Sequence, residues 1–206
     1  MGYFPRTGYI SFGPFLRYNF IPQSKTVSTH GPSFRSRFYL DPGWEFTDKE
    51  MTFEYGINFL NTSRLEVGWE NSYVKLSYDF DPTWSSDPEV VPLPSGSDYT
   101  WNKVNVTYSS NSRRDFSYDL RAGYGGFYNG KGTDLSGTVS FRIKPIFNLA
   151  LNFAYNMIDL PEPYPDGSFW LIGPRIDLTF TDKIFWTNYI QYNQQADNIN
   201  INSRLQ

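Results

Sequence analysis

The residues that could do chemistry are few. His30 is the only histidine and there is no cysteine. Ser-His and Cys-His nucleophiles need an imidazole beside the attacking atom, and most zinc sites draw on His or Cys. His30 stands in Ser28-Thr29-His30-Gly31-Pro32 with no serine motif near it. It reads as a loop residue, and no catalytic residue is expected. Asp79, Asp81, Asp87, Glu89 and Asp98 crowd one stretch. Loop carboxylates can hold Ca²⁺, but these lack the D-x-D-x-D-G spacing of a calcium loop. A solvated acidic loop is expected, with no metal and no cofactor. Gly123, Gly125, Gly126, Gly130 and Gly132 precede no helix that could cap a phosphate, so they fit a twisted hairpin tip. Asn61-Thr62-Ser63 and Asn105-Val106-Thr107 match glycosylation sequons but read as a turn and a strand.

The other polar candidates recur at every second position, opposite apolar residues. Glu66 lies between Leu65 and Val67, and Lys103 next to Val104 and Val106. Asp119 and Arg121 flank Leu120, Arg142 sits between Phe141 and Ile143, and Asp177 between Ile176 and Leu178. Gln191, Asn193, Asn202 and Arg204 continue the pattern. Such alternation marks strands with one greasy and one wet face. If the apolar set faces lipid, these ten face a lumen, where charges are hydrated or paired across strands. They would then form a channel lining, a plug-binding surface, or salt bridges that only stiffen the wall. Gln191, Asn193, Asn202 and Arg204 are expected to meet across the last hairpin, interlocking or gripping a sugar or carboxylate. Trp69, Trp101, Trp170 and Trp186 lie near strand ends or on the apolar side. They suit a girdle at the membrane–water boundary, with a sugar-stacking platform as the rival reading.

The elements that must carry these residues are strands. Aromatic residues make up 19% of the chain, yet mean hydropathy is −0.50. Net charge is −3, which argues against a nucleic-acid partner. No run of about 18 apolar residues offers a membrane-spanning helix, which leaves barrel strands open because alternation hides their apolarity. No window offers a helical period. Phe116–Tyr124, Leu135–Ile143 and Phe147–Met157 show the clearest alternation. Several runs reach about 10–13 residues, whereas strands of soluble domains cluster near about 5–6 and tilted membrane strands need about 9–11. Further strands are expected near 8–20, 33–46 and 51–60. Connections at 60–63, 110–113, 144–146 and 181–183 read as short, and those at 73–98, 125–132, 158–168 and 194–198 as long. That resembles periplasmic turns alternating with outer loops. The expectation is one all-β domain over 1–206, an antiparallel up-and-down transmembrane β-barrel of about eleven strands. Because such barrels have even strand numbers, it is expected to be incomplete. The N-terminus lacks the basic and apolar regions of a signal peptide, so the chain is read as starting mid-protein.

A family resemblance adds to this. Val91-Pro92-Leu93-Pro94-Ser95-Gly96-Ser97-Asp98-Tyr99 is similar to a Pro–Gly–Tyr loop entering a strand, and Gly126-Phe127-Tyr128-Asn129-Gly130 to a Gly-x-Phe/Tyr-x-Gly hairpin. Leu160-Pro161 is followed by Asp166-Gly167-Ser168-Phe169, and Ile190-Gln191-Tyr192-Asn193 by Asn202-Ser203-Arg204-Leu205-Gln206. Together, over 64–206, these resemble the C-terminal barrel of an uncharacterised outer-membrane family whose members carry an N-terminal carbohydrate-binding family 9-like sandwich. The resemblance implies outer-membrane location, lipid as partner, and a role as anchor or channel. It implies no established activity, and saccharide binding would belong to the absent sandwich. That family continues into a final hairpin not seen here. The alternatives are a soluble carbohydrate-binding β-sandwich and an outer-membrane barrel hydrolase.

Overall fold

The computed structural model describes residues 8–85 and 89–206. Twelve strands form one sheet: β1 (Ile10–Phe12), β2 (Phe15–Arg17), β3 (Val27–Leu40), β4 (Phe46–Phe59), β5 (Arg64–Lys75), β6 (Asp98–Ser109), β7 (Phe116–Phe127), β8 (Gly130–Ile143), β9 (Phe147–Asp159), β10 (Gly167–Thr179), β11 (Phe185–Asn193) and β12 (Asn198–Leu205). From β3 to β12 each strand pairs antiparallel with the next, while β1 and β2 both pair with β3. The fold is thus all-β and up-and-down, and the sheet is not closed. β1 and β2 are one stave interrupted at Gly13-Pro14, so twelve strands make eleven staves (twelve minus one).

The strands expected at 33–46 and 51–60 start earlier, at Val27 and Phe46. Gly31-Pro32 suggested a break, yet both lie inside β3. Pro32 is tolerated because its neighbouring stave asks only for its carbonyl, which accepts Tyr18 N at 3.0 Å. Gly31 is needed there, since a Cβ would lie 1.9 Å from the Tyr18 carbonyl oxygen. The long loop expected at 125–132 is a two-residue turn, Tyr128-Asn129, because β7 and β8 stay paired up to Phe127 and Gly130. Gly125 and Gly126 sit in the ladder where β6 approaches closely, and Gly130 where the backbone of Asp159 does. The connections at this end therefore mix long segments (76–97 and 160–166) with short ones (41–45, 128–129 and 194–197).

The sheet is staggered. One line of register partners runs Leu65, Tyr108, Leu120, Gly137, Phe153, Ile172, Tyr192, Ile199. It begins beside the first residue of β5 and ends beside the loop that opens β12. The strands are therefore inclined to the edge formed by their ends, the shear that curved and barrel-forming sheets require.

Register also fixes the two faces. One carries Phe53, Val67, Val104, Tyr124, Leu151, Ile172 and Ile190, and these stay open to solvent. Val104, for example, is 50% exposed. The other face is polar. Its floor includes Asn105, only 9% exposed, packed over Gly123, where a Cβ would lie 2.6 Å from the Asn105 and Asp134 oxygens. The buried apolar core lies at the loop end. There Leu76, Leu93 and Leu160 pack with Val74, Phe80, Tyr99, Phe127, Tyr128, Ile158 and Tyr164.

Candidate functional site

Glu66, Lys103, Asp119, Arg121, Arg142, Asp177, Gln191, Asn193, Asn202 and Arg204 all lie on the polar face, as register partners show strand by strand. Most are held by neighbours. Arg64 Nη2 donates to Glu66 Oε1 at 2.5 Å. Lys103 pairs with Asp134, and Ser109 donates to Asp119. Arg142 reaches the carbonyls of Ser112 and Arg114 and so clamps the 110–115 turn. Asp177 accepts from Arg175 at 3.0 Å, Asn148 at 2.9 Å and Thr187 at 2.9 Å.

The interlock expected across the last hairpin does not form. Gln191 stands opposite Asn200, Asn193 opposite Asn198, Asn202 opposite Tyr189 and Arg204 opposite Thr187. Among the described residues no hydrogen bond joins those four side chains to one another. The offset is one of register: a shared face does not make residues neighbours.

Trp69, Trp170 and Trp186 lie on the apolar face. Trp69 meets Phe53 at 5.7 Å and Trp170 lies on Tyr155 at 4.5 Å. Trp186 donates its indole N–H to Ser203 at 2.9 Å. Trp101 departs from the expectation. It pairs with Ser72 on the polar face, two residues from Lys103, and packs on Tyr128 at 5.0 Å and Phe127 at 6.1 Å. The parity of Lys103 already carried that placement.

His30 is not a loop residue but part of β3. Its Nδ1 lies 2.5 Å from Tyr55 Oη and its ring stacks on Phe20 at 5.2 Å. Of the acidic stretch, Asp87 lies outside the described residues. Asp81 caps the turn that follows it, accepting from Thr83 N at 2.8 Å and Ser85 N at 2.7 Å. Asp79 accepts from Ser95 N at 2.8 Å. Among the described residues no group of three or more His, Asp or Glu could hold a metal ion.

The feature missed from sequence is how the described parts of the 76–97 segment, 76–85 and 89–97, fold over the polar face. Phe80 and Leu93 exchange backbone hydrogen bonds at 2.9 and 2.8 Å, which pins its two arms together. Leu93 is fully buried. Across the sheet, Gln195 Nε2 donates to the Thr83 carbonyl at 2.8 Å. Beneath, a cavity of about 290 Å³ has the Lys103–Asp134 pair, Asn156 and Phe169 in its lining and Trp84 over it. A second cavity, of about 420 Å³, lies beside it along β3 to β6, bordered by Trp101, Tyr128 and Tyr78. A third, of about 340 Å³, sits deeper on the polar face among Glu54, Glu66, Asp119 and Arg121. Burial pushes the Tyr128 hydroxyl up to about 12, with Tyr78, Asp48 and Tyr99 adding to the effect. Pro92-Leu93-Pro94 reads as a breaker; the leucine between the prolines was the signal for an apolar anchor.

Comparison with protein-family models, curated proteins and solved structures gave no match. What the chain does is therefore argued from its own geometry.

Proposed function

We propose that this sheet is the wall of an outer-membrane β-barrel, its apolar face against lipid and its polar face toward a wet interior. The observation that carries the reading is a charge-free band. On β9 the apolar face presents Phe147, Leu149, Leu151, Phe153, Tyr155 and Met157 in succession. Ten residue steps at about 3.3 Å give about 33 Å of strand. At a tilt of about 45° that covers about 23 Å, close to the apolar band of a membrane barrel of about 25 Å. The charges on this face of β4–β12 are Lys49, Lys75, Asp98, Lys131 and Asp159, all at the loop end of their strands. Anchor or channel is also the role that the sequence resemblance implies.

A soluble carbohydrate-binding sandwich would cover the apolar face with a second sheet; the described residues form one sheet only. The test is refolding with and without detergent micelles, followed by gel migration before and after boiling. A detergent-dependent fold with altered migration before boiling is expected. A monomer that folds equally well in plain buffer overturns the barrel and promotes the sandwich.

A further inference from the structure

We propose that the groove of about 420 Å³ between Trp101, Tyr128 and Tyr78 at the loop end of β3–β6 binds an uncharged, hydroxyl-rich ring, that is, a neutral saccharide. The inference goes beyond the barrel reading and rests on the groove alone.

The volume falls within the range of small-molecule sites, roughly 300–1,000 Å³. Its walls supply two complementary chemistries. Tyr39, Tyr78, Trp101 and Tyr128 offer aromatic faces for the C–H side of a sugar ring. Arg37 and Glu50 offer donors and acceptors for hydroxyls. Of its charged lining, Arg37, Asp48 and Glu50 lie on the polar face, whereas Lys49 has the parity of the apolar face. One guanidinium against two carboxylates gives no net attraction to a phosphate or a uronate, and so favours a ligand without anionic groups.

One further observation leaves polar groups open to a ligand. Arg37 and Glu50 are register partners on β3 and β4, yet they form no ion pair with each other. Both side chains are exposed and, among the described residues, neither makes a side-chain hydrogen bond, so both heads are free for hydroxyls. Tyr128 stands in the two-residue β7–β8 turn, where its positive φ of 52 is what such hairpins use, and its ring packs on Trp101 and meets Tyr99 at 5.4 Å.

The test is isothermal titration of the folded full chain with neutral gluco-, manno-, galacto- and xylo-configured tetrasaccharides, and with tetragalacturonate as the charged control. At least one neutral tetrasaccharide is expected to bind, and tetragalacturonate at least tenfold more weakly. Tyr78→Ala, at a side chain 63% exposed and so safe for folding, is expected to weaken binding about tenfold or more. Arg37→Ala is expected to weaken it severalfold, and Trp69→Phe on the other face to leave it unchanged. No binding of any neutral probe, equal binding of the charged one, or full affinity in Tyr78→Ala overturns the site. Gel migration of the same sample separates the two readings. A heat-modifiable barrel without saccharide binding sinks the site alone. A water-soluble monomer that binds sinks the barrel alone.

Discussion

Leu151 on β9 and Leu93 in the 76–97 segment are the same residue in opposite surroundings: the first is 39% exposed, the second not at all. The wall displays its apolar side chains, while the loop end buries them. Leu76, Leu93 and Leu160 close a small core over one end of the polar face. Among the described residues the wall has no such partner, and its apolar face runs from β3 to β12 without a covering layer. Contiguous apolar patches beyond a few hundred Å² are rare on soluble monomers and mark contact surfaces. On the proposed barrel reading, the difference teaches that the two regions answer to different solvents. The loop core is stable against water by ordinary burial, and the wall as proposed would meet an apolar medium.

The comparison can be broken in order of expected effect. Leu93→Ala empties the one fully buried site and should cost about 2–5 kcal/mol, felt by the 76–97 segment. Limited proteolysis should cut that segment while gel migration of the wall stays unchanged; loss of both would mean that the regions are not separate. Leu151→Arg should cost about 2–4 kcal/mol in a bilayer. Ala154→Lys, on the polar face of the same strand, should stay within about 0.5 kcal/mol. Urea unfolding in lipid vesicles measures both, and equal costs would erase the distinction between the faces.

The next prediction concerns pH. Burial holds the Tyr128 hydroxyl up to about 12, above its ordinary 10.0. A raised tyrosine stabilises the folded state fully below the unfolded value, and that contribution is lost as pH climbs from 10 through 12. The 76–97 segment should keep its protease resistance to pH 10 and lose it toward pH 12. Tyr128→Phe should remove one late-ionising tyrosine from the ultraviolet titration and extend the resistance. The smallest effect is Gln195→Ala, which removes the hydrogen bond to the Thr83 carbonyl and should cost about 1 kcal/mol. Faster amide exchange around Thr83, with β9 unaffected, is the readout.

Much of the wall was legible because period two is a strong signal when one face is apolar. Phe147 to Met157 alternates without a fault, and register preserved that alternation from strand to strand. The faces of all ten polar candidates follow from parity alone. What parity does not carry is register. Gln191 and Asn202 share a face but miss each other, because pairing is set by the 194–197 turn. Glycine and proline misled in two places. Gly31-Pro32 and Gly125-Gly126 read as breaks, yet they serve close backbone approach inside strands. The loop core was illegible for a further reason. Leu76, Leu93 and Leu160 are isolated leucines far apart in sequence, and only the tertiary fold brings them together.

The most direct test of the wall is spin labelling along β9. The chain has no cysteine, so single cysteines at each position from 148 to 155 give clean labels. In lipid vesicles, accessibility to oxygen should peak at 149, 151, 153 and 155. Accessibility to a water-soluble nickel chelate should peak at 148, 150, 152 and 154. That period-two exchange would mean lipid on one face and water on the other. Odd positions shielded from both reagents would mean that the apolar face is covered by protein, and the account of the wall would fail.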